Sequence, residues 1–172
     1  MSSVTVATIA TFVVLAIMLA EAWLSRAHER TLRAQGAVEP PGDVYRAMQW
    51  AYPMLFVAMG VEGAFFGPRP GTAALVGVAL LTLAKALKFW AMATLGYRWT
   101  FRVLVPPGAS RVRRGPYAFT HHPNYVAVIG EIVAFGVLAG SPFTGVLSLV
   151  GFGALLRRRI RLEERALGAG VY

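Results

Sequence analysis

RVRRGPYAFTHHPNY, residues 111–125, is the most polar and turn-rich stretch of an otherwise oily chain. It carries three arginines, two of the chain's three histidines, two prolines, a glycine and two tyrosines. Long apolar segments lie on both sides of it. A second polar cluster, RRRIRLEER at residues 157–165, follows the last of them. Polar islands between apolar runs belong at a bilayer face, where backbone groups that cannot be satisfied in lipid meet water. The pattern predicts an all-α integral membrane protein in which the two clusters meet at one face and form a site.

The apolar runs set the helices. Residues 124–139 and 143–156 are separated by Gly140-Ser141-Pro142. Each is short of the ~20 residues a perpendicular span needs, which predicts a short helical hairpin whose second helix continues into 157–165. Upstream, residues 72–95 form a span with Lys85 and Lys88 near its end, three apart and so on one face. Residues 47–66 form another, which Pro53 is expected to kink. The GPRPG run at 67–71 reads as a tight turn. Residues 4–24 form the first span, and 25–46, with Gly36, Pro40, Pro41 and Gly42, read as a helix extension followed by a loop. No basic residue precedes the first run, which is longer than a signal core, so it reads as a span rather than a cleaved leader. The expectation is one domain over 1–172 with five transmembrane helices and site segments at 96–123 and 157–167.

Composition agrees. Apolar residues make up 56% of the 172 and charged residues only 15%, far from a soluble average. Cysteine is absent, which excludes disulfides, thiolate metal sites and a cysteine nucleophile. The net charge of +9 raises the question of nucleic acid, but the basic residues gather beside apolar runs rather than along an aromatic-bearing stripe, and no nucleic-acid partner is expected. Segments 25–46, 85–122 and 157–172 hold 16 of the 17 Lys and Arg; only Arg69 falls between the other spans. That asymmetry predicts five crossings, with the N-terminus outside and the C-terminus cytoplasmic.

Within the GPYAFTHHPNY segment, Gly115-Pro116 makes a turn and Pro123 biases His122 away from helix. The segment suits a polar cofactor, with backbone groups exposed just before a helix and with Tyr117 and Tyr125 offering ring faces. Composition alone favours an interfacial loop with belt aromatics and headgroup-binding arginines. His121 and His122 are adjacent and lack a nearby third ligand, so no metal site is expected. Arg159 and Glu163 are four apart and share a helix face, as an ordinary surface pair or as two halves of a binding site. Arg157, Arg158 and Arg161 suit anionic lipid. Glu62, Lys85, Lys88 and Glu131 fall inside spans, where charge is costly and should face protein or water. Glu131 and Lys85 are expected to pair in the bundle interior. Lys88, with Trp90 nearby, is expected to snorkel to the cytoplasmic interface.

Four pieces together resemble the isoprenylcysteine carboxyl methyltransferase family in its short bacterial form: LGYRWT at 95–100, GPYAFTHHPNY at 115–125, Glu131 in the helix after it, and RIRLEERAL at 159–167. They occur in the family's order and with similar spacing, over roughly 84–167. The resemblance implies a multi-helix membrane enzyme of the bacterial inner membrane that uses S-adenosylmethionine. The methyl group would go to a carboxylate or hydroxyl oxygen of a lipophilic acceptor, isoprenylcysteine-like or alkyl-phenol- or pyrone-like. Val112, Tyr117, His122, Pro123, Asn124, Tyr125 and Glu163 would line the cofactor pocket, and Arg159 would hold the acceptor's oxyanion. His121 stands where the family usually has arginine, and Lys88 where an arginine is expected. The chain stops at Tyr172, where relatives commonly continue, which implies a pocket end that is open or completed by lipid. The rival readings are a phospholipid-amine methyltransferase, an NADPH-dependent membrane reductase and a non-catalytic membrane scaffold.

Overall fold

In the computed structural model, residues 2–67, 71–108 and 111–168 are described. Five helices follow in order: α1 (Ser3–Ala34), α2 (Tyr45–Phe66), α3 (Thr72–Leu95), α4 (Pro123–Ala139) and α5 (Pro142–Gly168). Short 3₁₀ turns cover Gly96–Arg98 and Gly115–Ala118. Among the described residues there is no strand, only an isolated antiparallel bridge between Val38 and Val105. The expected spans all fall within these helices. Most of the turn expected at 67–71, Arg69 included, lies outside the described residues.

Helix ends follow local chemistry. α1 begins at Ser2, whose Oγ accepts from the Thr5 N–H at 3.2 Å. It runs ten residues beyond the expected span because nothing between Ser25 and Ala34 breaks it. It stops at Gly36, whose φ of 81° needs glycine, and the Ala37 N–H closes back on the Leu32 carbonyl at 3.0 Å. α4 starts with Pro123 in its first turn, where a missing N–H costs nothing. It ends at left-handed Gly140, with the Ser141 N–H donating to the Gly136 carbonyl at 3.0 Å. α5 is one continuous helix from the apolar run into the arginine cluster, as expected.

The core joins α1, α2, α4 and α5 through Val14, Met18, Phe56, Met59, Ile132, Phe135 and Phe152. α3 lies along α4. Their close approach depends on Gly77: a Cβ there would stand 2.5 Å from the Leu138 backbone nitrogen. α1 and the stretch 72–98 are long and apolar enough to cross a membrane, and only 17% and 22% of their most apolar windows are buried. Large apolar side chains such as Phe12, Leu19, Trp23, Phe66 and Leu75 face outward.

Four charges lie inside this bundle. Glu21 of α1 and Glu131 of α4 alternate with Lys85 and Lys88 of α3. Lys85 Nζ is 3.1 Å from Glu21 and 3.0 Å from Glu131; Lys88 Nζ is 2.6 Å from Glu21 and 3.5 Å from Glu131. The Tyr52 hydroxyl donates to Glu131 Oε2 at 2.7 Å. The expected Glu131–Lys85 pair is therefore present. The expectation for Lys88 is corrected: its side chain is 2% exposed and does not reach the interface. Two carboxylates facing the same helix turn make the interior a better place for its ammonium than the headgroups. Glu62 has a different task. Its carboxylate accepts from the backbone N–H groups of Phe143 at 3.1 Å and Thr144 at 2.7 Å, and from the Thr144 hydroxyl, so it caps the start of α5.

Candidate functional site

The two polar clusters meet. Gly115 turns the chain with φ of 56°, and a Cβ there would collide with Thr94 Oγ1 of α3 at 2.5 Å. Both facts require glycine. The turn buries Pro116 and leaves Tyr117 partly buried before the chain reaches α4. Tyr125, in the first turn of α4, then faces the end of α5. Its hydroxyl donates to Glu163 Oε2 at 2.6 Å and accepts from Arg159 Nε at 3.0 Å. Arg159 and Glu163, one helical turn apart, thus close on the same phenol.

His122 stacks on Tyr125, with ring centroids 5.3 Å apart and planes 18° from parallel. Its Nε2 is 3.3 Å from Glu164 Oε1 and its Nδ1 is 4.0 Å from Glu163 Oε2. Pro123 is buried beneath. Asn124 Oδ1 accepts from Trp99 Nε1 at 3.2 Å. Val112 is partly exposed upstream of the turn and is not part of the hydrogen-bonded set. His121 is exposed, as are Arg157, Arg158 and Arg161.

Arg159 is buried, with 5% of its surface exposed. Besides Tyr125 it donates to Asp43 Oδ1 at 3.2 Å through Nη1 and to the Phe101 carbonyl through Nη2. Burial opposes its charge, but Tyr125, Asp43 and Glu163 outweigh it and hold its pKa above the ordinary arginine value. Tyr117 moves the same way for simpler reasons: burial first, then the negative charge of Glu163, raise its pKa well above an ordinary phenol. It stays a neutral hydroxyl. The group Asp43, Arg159 and Glu163 carries one net negative charge, with Glu164 beside it, in a chain whose total is +9.

The far end of α1 positions the backbone that Arg159 meets. Ser25 Oγ accepts from the Phe101 N–H at 2.8 Å, and His28 Nδ1 donates to the Trp99 carbonyl at 2.8 Å. Arg102 binds Glu39 at 2.7 Å and lies over the Tyr45 ring. A cleft of about 370 Å³ opens beside Asp43, lined by Glu39, Pro41, Tyr45, Arg46 and Arg102. Sequence reasoning missed Asp43; Trp99 and Phe101 fell inside the expected site segment 96–123 without being given a role. The only signal for Asp43 was the PPGD run before α2, which marks a turn and a helix start rather than a partner 116 residues away.

The family model for "Isoprenylcysteine carboxyl methyltransferase (ICMT) family" matches residues 76–169, which hold most of α3, the polar turn, α4 and all of α5. The chain belongs to this family of membrane methyltransferases. It is similar to the uncharacterized protein YpbQ of Bacillus subtilis (strain 168), at 31% identity over 148 residues covering 86% of this chain and 88% of that one. It is also similar to an uncharacterized protein of Haemophilus influenzae (strain ATCC 51907 / DSM 11121 / KW20 / Rd), at 24% identity over 155 residues and 90% of both chains. No solved structure matches it.

Proposed function

We propose that this protein transfers the methyl group of S-adenosylmethionine to a carboxylate or hydroxyl oxygen of a lipophilic acceptor at the membrane face. The observation that carries the reading is the Tyr125 hydroxyl held between Arg159 and Glu163, where the polar turn meets the end of α5.

The residues present fit such a cofactor. Their net negative charge suits a cation, and Glu163 is partly exposed with Oε1 outside the contacts described. That oxygen suits a hydroxyl or ammonium donor. The stacked His122 and Tyr125 rings and the neutral Tyr117 suit a flat heterocycle. Val112, Pro123 and Asn124 complete the proposed lining. When bound, the cofactor supplies an electrophilic methyl group, a chemistry that needs no metal and no covalent enzyme intermediate.

The chain's own task is then to bind, to orient and to exclude water. Arg159 spends three of its five N–H groups on Tyr125, Asp43 and Phe101. The other two, on Nη1 and Nη2, are the donors proposed to hold the acceptor's oxyanion. A carboxylate or phenolate so held is already nucleophilic. An amine acceptor suits this place poorly, because Arg159 is cationic. The acceptor is proposed to be isoprenylcysteine-like or alkyl-phenol- or pyrone-like, entering from the bilayer while the cofactor enters from the cytoplasm. With five crossings, the exposed Arg157, Arg158 and Arg161 would meet anionic lipid of the bacterial inner membrane.

Calorimetry on detergent-purified protein tests this with S-adenosylmethionine, S-adenosylhomocysteine and NADPH, alongside Glu163→Ala and Tyr117→Ala. Micromolar binding of the adenosyl ligands, weakened in both variants, is expected. Binding of NADPH alone would replace the reading with a reductase. No binding by folded protein would leave a scaffold.

A further inference from the structure

We infer that Asp43, on the loop between α1 and α2, is a positioning residue for the adenosyl site, acting through Arg159 to keep Glu163 available to the ligand. The inference rests on the cofactor reading above.

The Asp43 side chain is 4% exposed, and a carboxylate so buried needs partners for its charge. It has three. Oδ1 accepts from the Tyr45 N–H at 3.1 Å and from Arg159 Nη1 at 3.2 Å, and Oδ2 accepts from the Val103 N–H at 3.1 Å. The two backbone bonds fix Asp43 to the start of α2 and to the chain just before Val105. Val105 is in turn bridged to Val38 by bonds of 3.0 and 3.1 Å. Asp43 is therefore anchored before it touches Arg159.

The direction of the hydrogen bonds matters. Arg159 has only donors, and Tyr125 has one proton. Arg159 Nε occupies an acceptor lone pair of the phenol, so the phenol's proton goes to Glu163 Oε2. The Phe101 carbonyl holds Nη2. With Asp43 holding Nη1, three of the guanidinium's five N–H groups are committed to partners other than Glu163.

Without the Asp43 charge, Arg159 keeps a carboxylate within reach. Glu163 is four residues on, along the same helix face, at the spacing where a carboxylate and a guanidinium pair. Burial increases the force of that choice, because a buried cation that loses one anion seeks another. Arg159 would then turn onto Glu163 and occupy the oxygens proposed for the ligand. Asp43 prevents this by competing for the guanidinium.

The test is calorimetric titration of S-adenosylhomocysteine into the full-length protein in detergent, with thermal unfolding recorded for each variant. Native protein, Asp43→Asn, Asp43→Glu, Arg159→Met and the double variant Asp43→Asn/Arg159→Met are compared. Asp43→Asn keeps the shape and loses the charge; its affinity is expected to fall about tenfold, the scale of one charge-assisted hydrogen bond. Asp43→Glu should recover part of the loss. The double variant should bind more tightly than Asp43→Asn alone, since no guanidinium remains to occupy Glu163 and the pair is removed without leaving a lone charge; it stays below native, because Tyr125 loses the Arg159 donor. A purely structural aspartate would lower the unfolding temperature and show no recovery of affinity on adding Arg159→Met. Native-like affinity in folded Asp43→Asn, or a double variant as weak as the single, would overturn the inference and leave the cofactor reading standing. If Asp43→Asn fails to fold, Arg159→Met against the double variant decides: equal affinities are expected, because Asp43 acts through Arg159, and a double variant tenfold weaker than Arg159→Met overturns it. No binding by native protein overturns the cofactor reading, and this inference with it.

Discussion

Lys88 Nζ lies 2.6 Å from Glu21 Oε2, with both side chains almost fully buried between α1 and α3. Lys85 and Glu131 complete the group, so two cations face two anions inside the bundle. Removing one member leaves an uncompensated buried charge, which costs about 3–5 kcal/mol. Lys88→Met, Glu21→Gln and Glu131→Gln should each lower the unfolding temperature sharply in detergent. The pair Glu21→Gln/Lys88→Met should recover most of the loss. Single variants that unfold like native protein would show that the charges are not coupled.

Tyr125→Phe keeps the ring over His122 and deletes the hydroxyl shared by Arg159 and Glu163. A buried charged group left short of one partner costs about 1–3 kcal/mol. We expect S-adenosylhomocysteine affinity to fall by roughly tenfold on that scale, with the stacked ring leaving helix content unchanged. Calorimetry and circular dichroism together read both effects.

Glu62 accepts two N–H groups of the first turn of α5 and the hydroxyl of Thr144. An anion at a helix N-terminus is favourable, and loss of such a cap costs about 1 kcal/mol. Glu62→Ala should therefore lower stability modestly while leaving adenosyl-ligand affinity unchanged. Loss of affinity in this variant would mean that the start of α5 also governs its arginine end.

Glu39 gives a pH dependence. Burial opposes its ionisation, but hydrogen bonds from Arg33 and Arg102 outweigh that and hold its pKa below the ordinary 4.5. A depressed carboxylate stabilises the fold above its unfolded pKa, and that contribution disappears as pH falls through the folded value. The gap in unfolding temperature between native protein and Glu39→Gln should be full at pH 7 and close as the pH falls below the ordinary carboxylate range. A gap that widened on acidification would contradict the pairing.

Much of this architecture was legible before any coordinates. The helices were written in apolar runs and in the breakers Gly36, Gly140 and Pro142. The shared face of Arg159 and Glu163 followed from their spacing alone. Tyr125 as their common partner did not, because it comes from another helix. Lys88 was misplaced for the same reason: beside Trp90 it looked interfacial, and nothing local announces that Glu21 and Glu131 converge on it. Asp43 was invisible because a turn-forming aspartate reads the same whether or not an arginine waits at the far end of the chain.

The buried quartet also imposes an order on biosynthesis. α1 leaves the ribosome with Glu21 already in it, and its cations follow 64 and 67 residues later. An apolar segment holding a lone carboxylate is a poor candidate for release into lipid. The charge arithmetic favours a first helix that is retained beside the insertion machinery until α3 arrives. Glu131 then comes last, and its arrival brings the interior to neutrality.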